Sequence, residues 1–133
     1  MVETASELAG IIQRYRRELE KMNIHCERIL LFGSQANGTA HDGSDIDLIV
    51  ISPDLASYDQ RTRLEHLGIA AGRILEPIQA QGVTPDEIAS HHVSPFIEYV
   101  INQLAYDVTN TLASTTSYED VVFEPMSVVA KHG

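Results

Sequence analysis

Apolar positions recur along this chain in two rhythms, one near every third or fourth residue and one near every second, and the changes of rhythm mark the elements. Leu8, Ile11, Ile12, Tyr15 and Leu19 repeat at helical spacing, with Arg14, Arg16, Arg17, Glu18 and Lys21 filling the other side. They predict a helix over residues 3–22, ended by Asn23. Ile24 to Phe32 reads as a first strand, Gly33 to Ser44 as a polar loop with a helical turn at Ser34–Asn37, and Ile46 to Ile51 as a second strand stopped by Ser52-Pro53. Tyr58 to Leu75 is a second helix with Leu64, Leu67, Ala71 and Ile74 as its stripe; Gly68 and Gly72 either weaken it or let it pack closely. A third strand follows from Pro77 to Val83. Thr84-Pro85-Asp86-Glu87 then has the form of a helix start, with Thr84 as N-cap, Pro85 in the first turn and Glu87 closing a capping box. Ser94-Pro95 opens a last helix to Leu104, apolar at Phe96, Ile97, Val100, Ile101 and Leu104, and Ala105 to Val108 is a short final strand. This order predicts an α+β fold, a small mixed sheet with helices packed mainly on one face.

The loop between the first two strands carries the chemistry. Side chains alternate along a strand, so Asp45 and Asp47 share a face, about 7 Å apart, while Ile46, Leu48 and Val50 take the other. Two carboxylates at that spacing repel unless a cation lies between them. Magnesium suits oxygen donors and phosphates. Gly33 lets the backbone approach a phosphate, and Ser34 adds a hydroxyl. Asp-x-Asp alone is compatible with a hairpin whose acidic end is merely solvated; the Gly-Ser turn ahead of it points to a site.

The 133 residues predict one domain, and 44% apolar content suffices for a core without staples. The single cysteine, Cys26, excludes an internal disulfide framework and is expected to be a buried thiol. No apolar run nears the roughly 20 residues of a membrane span, and the first ten residues lack a secretion pattern, so a cytoplasmic location is expected. The formal charge of −10, from 19 acids against 9 Lys and Arg, opposes a polynucleotide template. A nucleotide carried by magnesium, or a basic protein partner, fits better.

Gly33-Ser34-Gln35-Ala36-Asn37-Gly38-Thr39 and Ser44-Asp45-Ile46-Asp47-Leu48 together resemble the signature of the minimal nucleotidyltransferases (MNT domains) of the DNA polymerase beta superfamily. The likeness is specific at this motif and extends loosely over residues 8–108. It implies the polymerase beta-like nucleotidyltransferase fold in residues 1–108, with 109–133 as an extension that has no counterpart. It also implies transfer of a nucleoside monophosphate, AMP, from a nucleoside triphosphate, ATP, to a hydroxyl. Gly33, Ser34 and Ser44 would bind the nucleotide, and Asp45 and Asp47 would hold the metal, two Mg2+ ions being expected with nucleotide bound.

The family's third acid comes from the next core strand, and here the chain departs from the pattern. The position five residues before Thr84 is Gln79, an amide that ligates magnesium poorly and cannot act as a base. Glu76, three residues earlier, becomes the third ligand if Pro77 bends the strand; otherwise the site has two carboxylates and weakened or lost chemistry. His91-His92 has no companion at metal-ligand spacing and reads as a helix-end pair. Asp42 to Asp47 resembles a calcium loop but lacks its sixth-position glycine and closing glutamate, and Ser34 is not in a hydrolase elbow. Minimal members resembling this chain are often encoded beside a helical HEPN-type protein and act as its antitoxin; others form homodimers around a small-molecule acceptor. The alternative is an inactive MNT-fold binding module that neutralises a partner by its acidic surface.

Overall fold

Strands β1 (Arg28–Phe32) and β2 (Ile46–Ile51) form an antiparallel pair at the centre of the sheet, with Leu31 opposite Leu48 and Phe32 opposite Asp47. Their alternation is as expected. The computed structural model describes residues 5–37, 45–109 and 124–125; the loop 38–44, with Ser44, and residues 110–123 and 126–133 lie outside the described residues. Around the pair, β3 (Ile78–Val83) runs parallel to β2, whereas β4 (Tyr106–Asp107) runs antiparallel to β1 and β5 (Glu124–Pro125) antiparallel to β4. The strand order is β3-β2-β1-β4-β5, a small mixed sheet.

Both long helices cover one face. Helix α1 (Ala5–Lys21) and helix α3 (Gln60–Arg73) pack Leu8, Ile12, Tyr15, Leu19, Leu67 and Ala70 against Ile29, Leu31, Ile46, Leu48 and Val50. Tyr15 is fully buried and donates its hydroxyl to the Leu67 carbonyl at 2.9 Å, tying the two helices together. On the other face, Leu30, Ile49, Ile51 and Val83 are covered by the shorter helix α5 (Pro95–Tyr99) and the π-helical turn Val100–Leu104 that continues it. The Ala105 amide reaches back to the Val100 carbonyl at 2.9 Å, so Val100, Ile101 and Ala105 all enter the core.

Three local features differ from the sequence reading. The first strand is shorter: Asn23 turns the chain with φ +64°, and Ile24 and Cys26 are buried ahead of the ladder rather than in it. Leu64, expected in the stripe of α3, is 54% exposed. Arg63 takes that place instead at 4% exposure, donating to the Leu55, Tyr58 and Gly82 carbonyls and, through both guanidinium ends, to Glu87 at 2.8 and 3.0 Å. Glu87 is the acid of the capping box on α4 (Pro85–Ala89), formed as expected with Thr84. One ion pair thus locks α3, β3 and α4 together.

Candidate active site

The functional motif sits at one rim of the sheet, where β1 ends and β2 begins. Asp45, just ahead of β2, is exposed, and Asp47, one turn of the alternation later, is half-buried on the face of Ile49 and Ile51. The Asp47 carboxyl is held above its ordinary range, first by burial and then by the charge of Asp45. The four-residue helix α2 (Ser34–Asn37) follows Gly33, whose φ of +75° favours glycine. A Cβ on Gly33 would overlap the Asp47 carboxylate, standing 3.0 Å from its Cγ. The glycine therefore serves both a left-handed turn and the space beside the acid. The Ser34 side chain lies outside the described atoms.

Glu76 and Gln79 are placed differently. Gln79 is the direct neighbour of Asp47 across the parallel β2–β3 register and is exposed on the same face. Glu76 is engaged away from that face. Its carboxylate pairs at 3.1 Å with Arg14 of α1, the helix that covers the opposite side of the sheet. The structure thus brings together Gly33, Asp45, Asp47 and Gln79, and sets Glu76 apart from them. Among the described residues, no three His, Cys, Asp or Glu side chains converge as metal ligands. His91 and His92 are exposed and locally bonded, to Glu98 at 2.7 Å and to Ser90 at 2.8 Å.

A cleft of about 440 Å³ opens over Asp47. Gln79 and Gln81 form its polar floor, and Phe32, Leu64 and Phe96 its apolar wall. Phe32 and Phe96 meet edge to face with centroids 6.3 Å apart. The role of Leu64 as cleft wall was not visible in the sequence, since its spacing also suits a core stripe.

With that geometry in place, comparison with known proteins decides the family. The sequence profile of the nucleotidyltransferase domain matches residues 12–102, most of the chain. The chain belongs to the nucleotidyltransferase domain family. No curated protein matches the sequence. Among solved structures, this nucleotidyltransferase is similar to one described as a toxin–antitoxin with AMP-PNP, at 19% identity and a TM-score of 0.55, covering 93% of this chain and 84% of that one. At that identity the likeness concerns the fold. A Sulfolobus solfataricus protein provisionally assigned as a nucleotidyltransferase aligns at 17% identity and a TM-score of 0.42, over 67% of this chain and 82% of its own, and carries no weight here.

Membership makes the protein an enzyme of nucleotidyl transfer, and such domains generally use divalent metal ions. The donor set fits one. Asp45 and Asp47 offer hard oxygen ligands on one side of a strand, and burial together with the nearby Asp45 charge holds the Asp47 carboxyl above its ordinary range, a penalty that a cation would relieve. No helix among the described residues is long and apolar enough to cross a membrane.

Proposed function

We propose that this nucleotidyltransferase moves AMP from ATP, with Mg2+, onto a hydroxyl of a protein partner. The observation that carries the reading is the placing of Asp47 against the Gly33 turn and in the lining of an open cleft, with the Asp45 charge close by. Asp45 and Asp47 hold the metal, which when bound stabilises charge developing on the transferred phosphorus. Gly33, Ser34 and Ser44 bind the nucleotide, with the Gly33 backbone against its β- and γ-phosphates. The acceptor oxygen attacks the α-phosphorus, pyrophosphate leaves, and the acceptor proton passes to solvent; no covalent bond to the protein forms. The same solved structure, described as a toxin–antitoxin with AMP-PNP, supports a nucleotide and a protein partner for a chain of this fold. A HEPN-type helical protein is the partner this reading favours over a homodimer, and the acidic charge of −10 suits a basic one.

We give Glu76 no role in this scheme, because its carboxylate pairs with Arg14 of the helix on the far side of the sheet. Gln79, in the position beside Asp47, favours a second reading: a binding module with slow or no chemistry. Calorimetry with AMP-PNP, with and without Mg2+, tests the first. Magnesium-dependent binding that disappears in the Asp45→Asn/Asp47→Asn variant is expected; binding by the unaltered chain that ignores both magnesium and the substitutions would refute the metal assignment. Radiolabel passing from ATP to a co-purified partner in the unaltered chain, and not in the variant, separates catalysis from binding alone.

A further inference from the structure

Strand β3 lies at the edge of the sheet, so alternate main-chain groups along it have no strand to pair with. The Pro77 and Val83 carbonyls accept from the Ile46 and Ser52 amides, on the β2 side. By the two-residue alternation of a parallel ladder, Gln79 and Gln81 also turn their main chain to β2, and Ile78, Ala80 and Gly82 turn theirs outward. Both ends of that outward row are taken. The Ile78 amide donates to the Glu76 carbonyl at 2.9 Å, and the Gly82 carbonyl accepts from the Arg63 guanidinium at 3.2 Å. Between them, the Ile78 carbonyl and the Ala80 amide have no hydrogen-bond partner among the described residues.

The cleft beside Asp47 runs over this opening. Its lining draws on both faces of β3: Gln79 and Gln81 belong to one, while Ala80 packs against the core under α1 and α3, on the other. Gln60 and Leu64 of α3 complete that second side. A cleft lined from both faces of an edge strand includes the edge itself. Among its described lining residues only Asp47 carries a charge. The phosphates of a nucleotide find no cation here. Its neutral end finds free main-chain groups, the amides of Gln60, Gln79 and Gln81, and the apolar surface of Leu64 and Phe96, 54% and 55% exposed.

An outward carbonyl followed two residues later by an outward amide presents an acceptor and then a donor. The Watson–Crick edge of adenine is complementary, its N6 amine donating and its N1 accepting; guanine reverses both, with O6 accepting and N1–H donating. A peptide strand added to the edge needs a longer open row than this one. The strand order places the Gly33 turn on one side of Asp47 and the open edge on the other, one strand spacing, about 5 Å, beyond the acid. A nucleotide laid across that order has its terminal phosphates at the turn and its base at the edge. We propose that the free edge of β3 reads the base of the donor nucleotide, the Ile78 carbonyl accepting from the adenine N6 amine and the Ala80 amide donating to N1, with Leu64 and Phe96 against the ring. The proposal rests on the nucleotide reading above and adds base selection to it.

Calorimetry on the full chain in Mg2+ tests it with AMP-PNP, GMP-PNP and inorganic tripolyphosphate, which has no base. The unaltered chain should bind AMP-PNP about ten-fold more tightly than GMP-PNP, the scale of one hydrogen bond gained against a polar group left unpaired. Ala80→Pro removes an amide that the ladder does not use, on an edge strand where proline is tolerated. It should bring AMP-PNP down to the level of GMP-PNP and leave tripolyphosphate unchanged. Leu64→Ala, at an exposed position, should weaken both nucleotides about five-fold and spare tripolyphosphate. The purine comparison and Leu64→Ala decide the case if Ala80→Pro does not fold. The proposal is overturned if the unaltered chain binds GMP-PNP as tightly as AMP-PNP, or if a folded Ala80→Pro chain keeps the preference. It is overturned too if Leu64→Ala binds both nucleotides normally while transfer to a partner falls, which would give the cleft to the acceptor. When GMP-PNP binds equally and Asp45→Asn/Asp47→Asn abolishes both, the nucleotide reading stands and only base selection falls. An unaltered chain that binds neither nucleotide overturns both.

Discussion

Replacing Gly33 by alanine probes the turn and the acid in one experiment. The new Cβ meets two penalties. At φ +75° an L-residue with a Cβ is strained by roughly 1 kcal/mol relative to glycine. The same Cβ lies 3.0 Å from Asp47 Cγ and overlaps the carboxylate, so Asp47 has to leave its rotamer, at a cost on the order of 1 kcal/mol. The sum is about 2 kcal/mol, which for a domain of this size lowers the melting temperature by about 8 °C. Differential scanning calorimetry measures that fall, and titration with Mn2+ measures the second consequence, a loss of metal affinity of ten-fold or more. Gly33→Asn separates the two causes, because asparagine tolerates the left-handed region but still carries a Cβ. It should recover about half of the lost stability and none of the metal binding. A Gly33→Ala protein with unchanged melting temperature and unchanged metal affinity would refute the argument that this glycine clears space for Asp47.

Four further outcomes follow from the same structure. The Arg63 guanidinium, with help from the Thr84 amide, holds the Glu87 carboxyl below its ordinary range. A carboxyl depressed on folding stabilises above its unfolded pKa, about 4.3, and loses that contribution as pH falls through the folded value. The stability gap between the unaltered chain and Glu87→Gln should therefore be full at pH 6 and close below pH 4 in urea titrations; a gap constant down to pH 3 contradicts it. Arg63→Ala, which strands three carbonyls and a carboxylate, should cost about 3 kcal/mol at pH 7 in the same assay, and a cost under 1 kcal/mol would mean the ion pair is dispensable. Burial pushes the Cys26 thiol up to about 12, so iodoacetamide at pH 8 should label it only after denaturant is added; rapid labelling of the native protein would show that the site opens. Gln79→Glu should tighten Mn2+ binding about ten-fold by adding an oxygen ligand beside Asp47, and unchanged affinity would place that side chain out of reach of the ion.

The sequence was most informative where one element carried its own signal. β2 shows it in the alternation of Asp45, Asp47 and Ile49 against Ile46, Leu48 and Val50, and α4 in the capping box of Thr84 and Glu87. What local pattern leaves out is which distant residue arrives alongside. Arg63 looks like one of three solvated arginines on α3 until Glu87, 24 positions later, supplies its carboxylate. Its spacing with Leu67, Ala70 and Ala71 was the available signal, since position 63 falls on the buried stripe. Glu76 shows the same limit. Nothing near it in sequence announces Arg14, 62 positions earlier, as the partner that holds it on the far side of the sheet. The meeting of Gly33 with Asp47 was legible because β1 and β2 are consecutive strands that pair antiparallel, which returns the start of β2 to the end of β1. The cleft wall was not, because Phe32, Leu64 and Phe96 meet only after the sheet and helices have formed.

The exposure of Gln79 has a consequence for how such a protein changes over generations. Its side chain contributes nothing to the core and stands beside Asp47 on a strand whose register is fixed by Ile78 and Val83. Glutamine and glutamate differ by one nucleotide in the codon. If Asp45 and Asp47 hold the metal as proposed, the strength of that site would be adjustable by a single mutational step that carries little folding penalty, in either direction. On that reading, a vigorous enzyme and a quiet binder would lie one stable substitution apart.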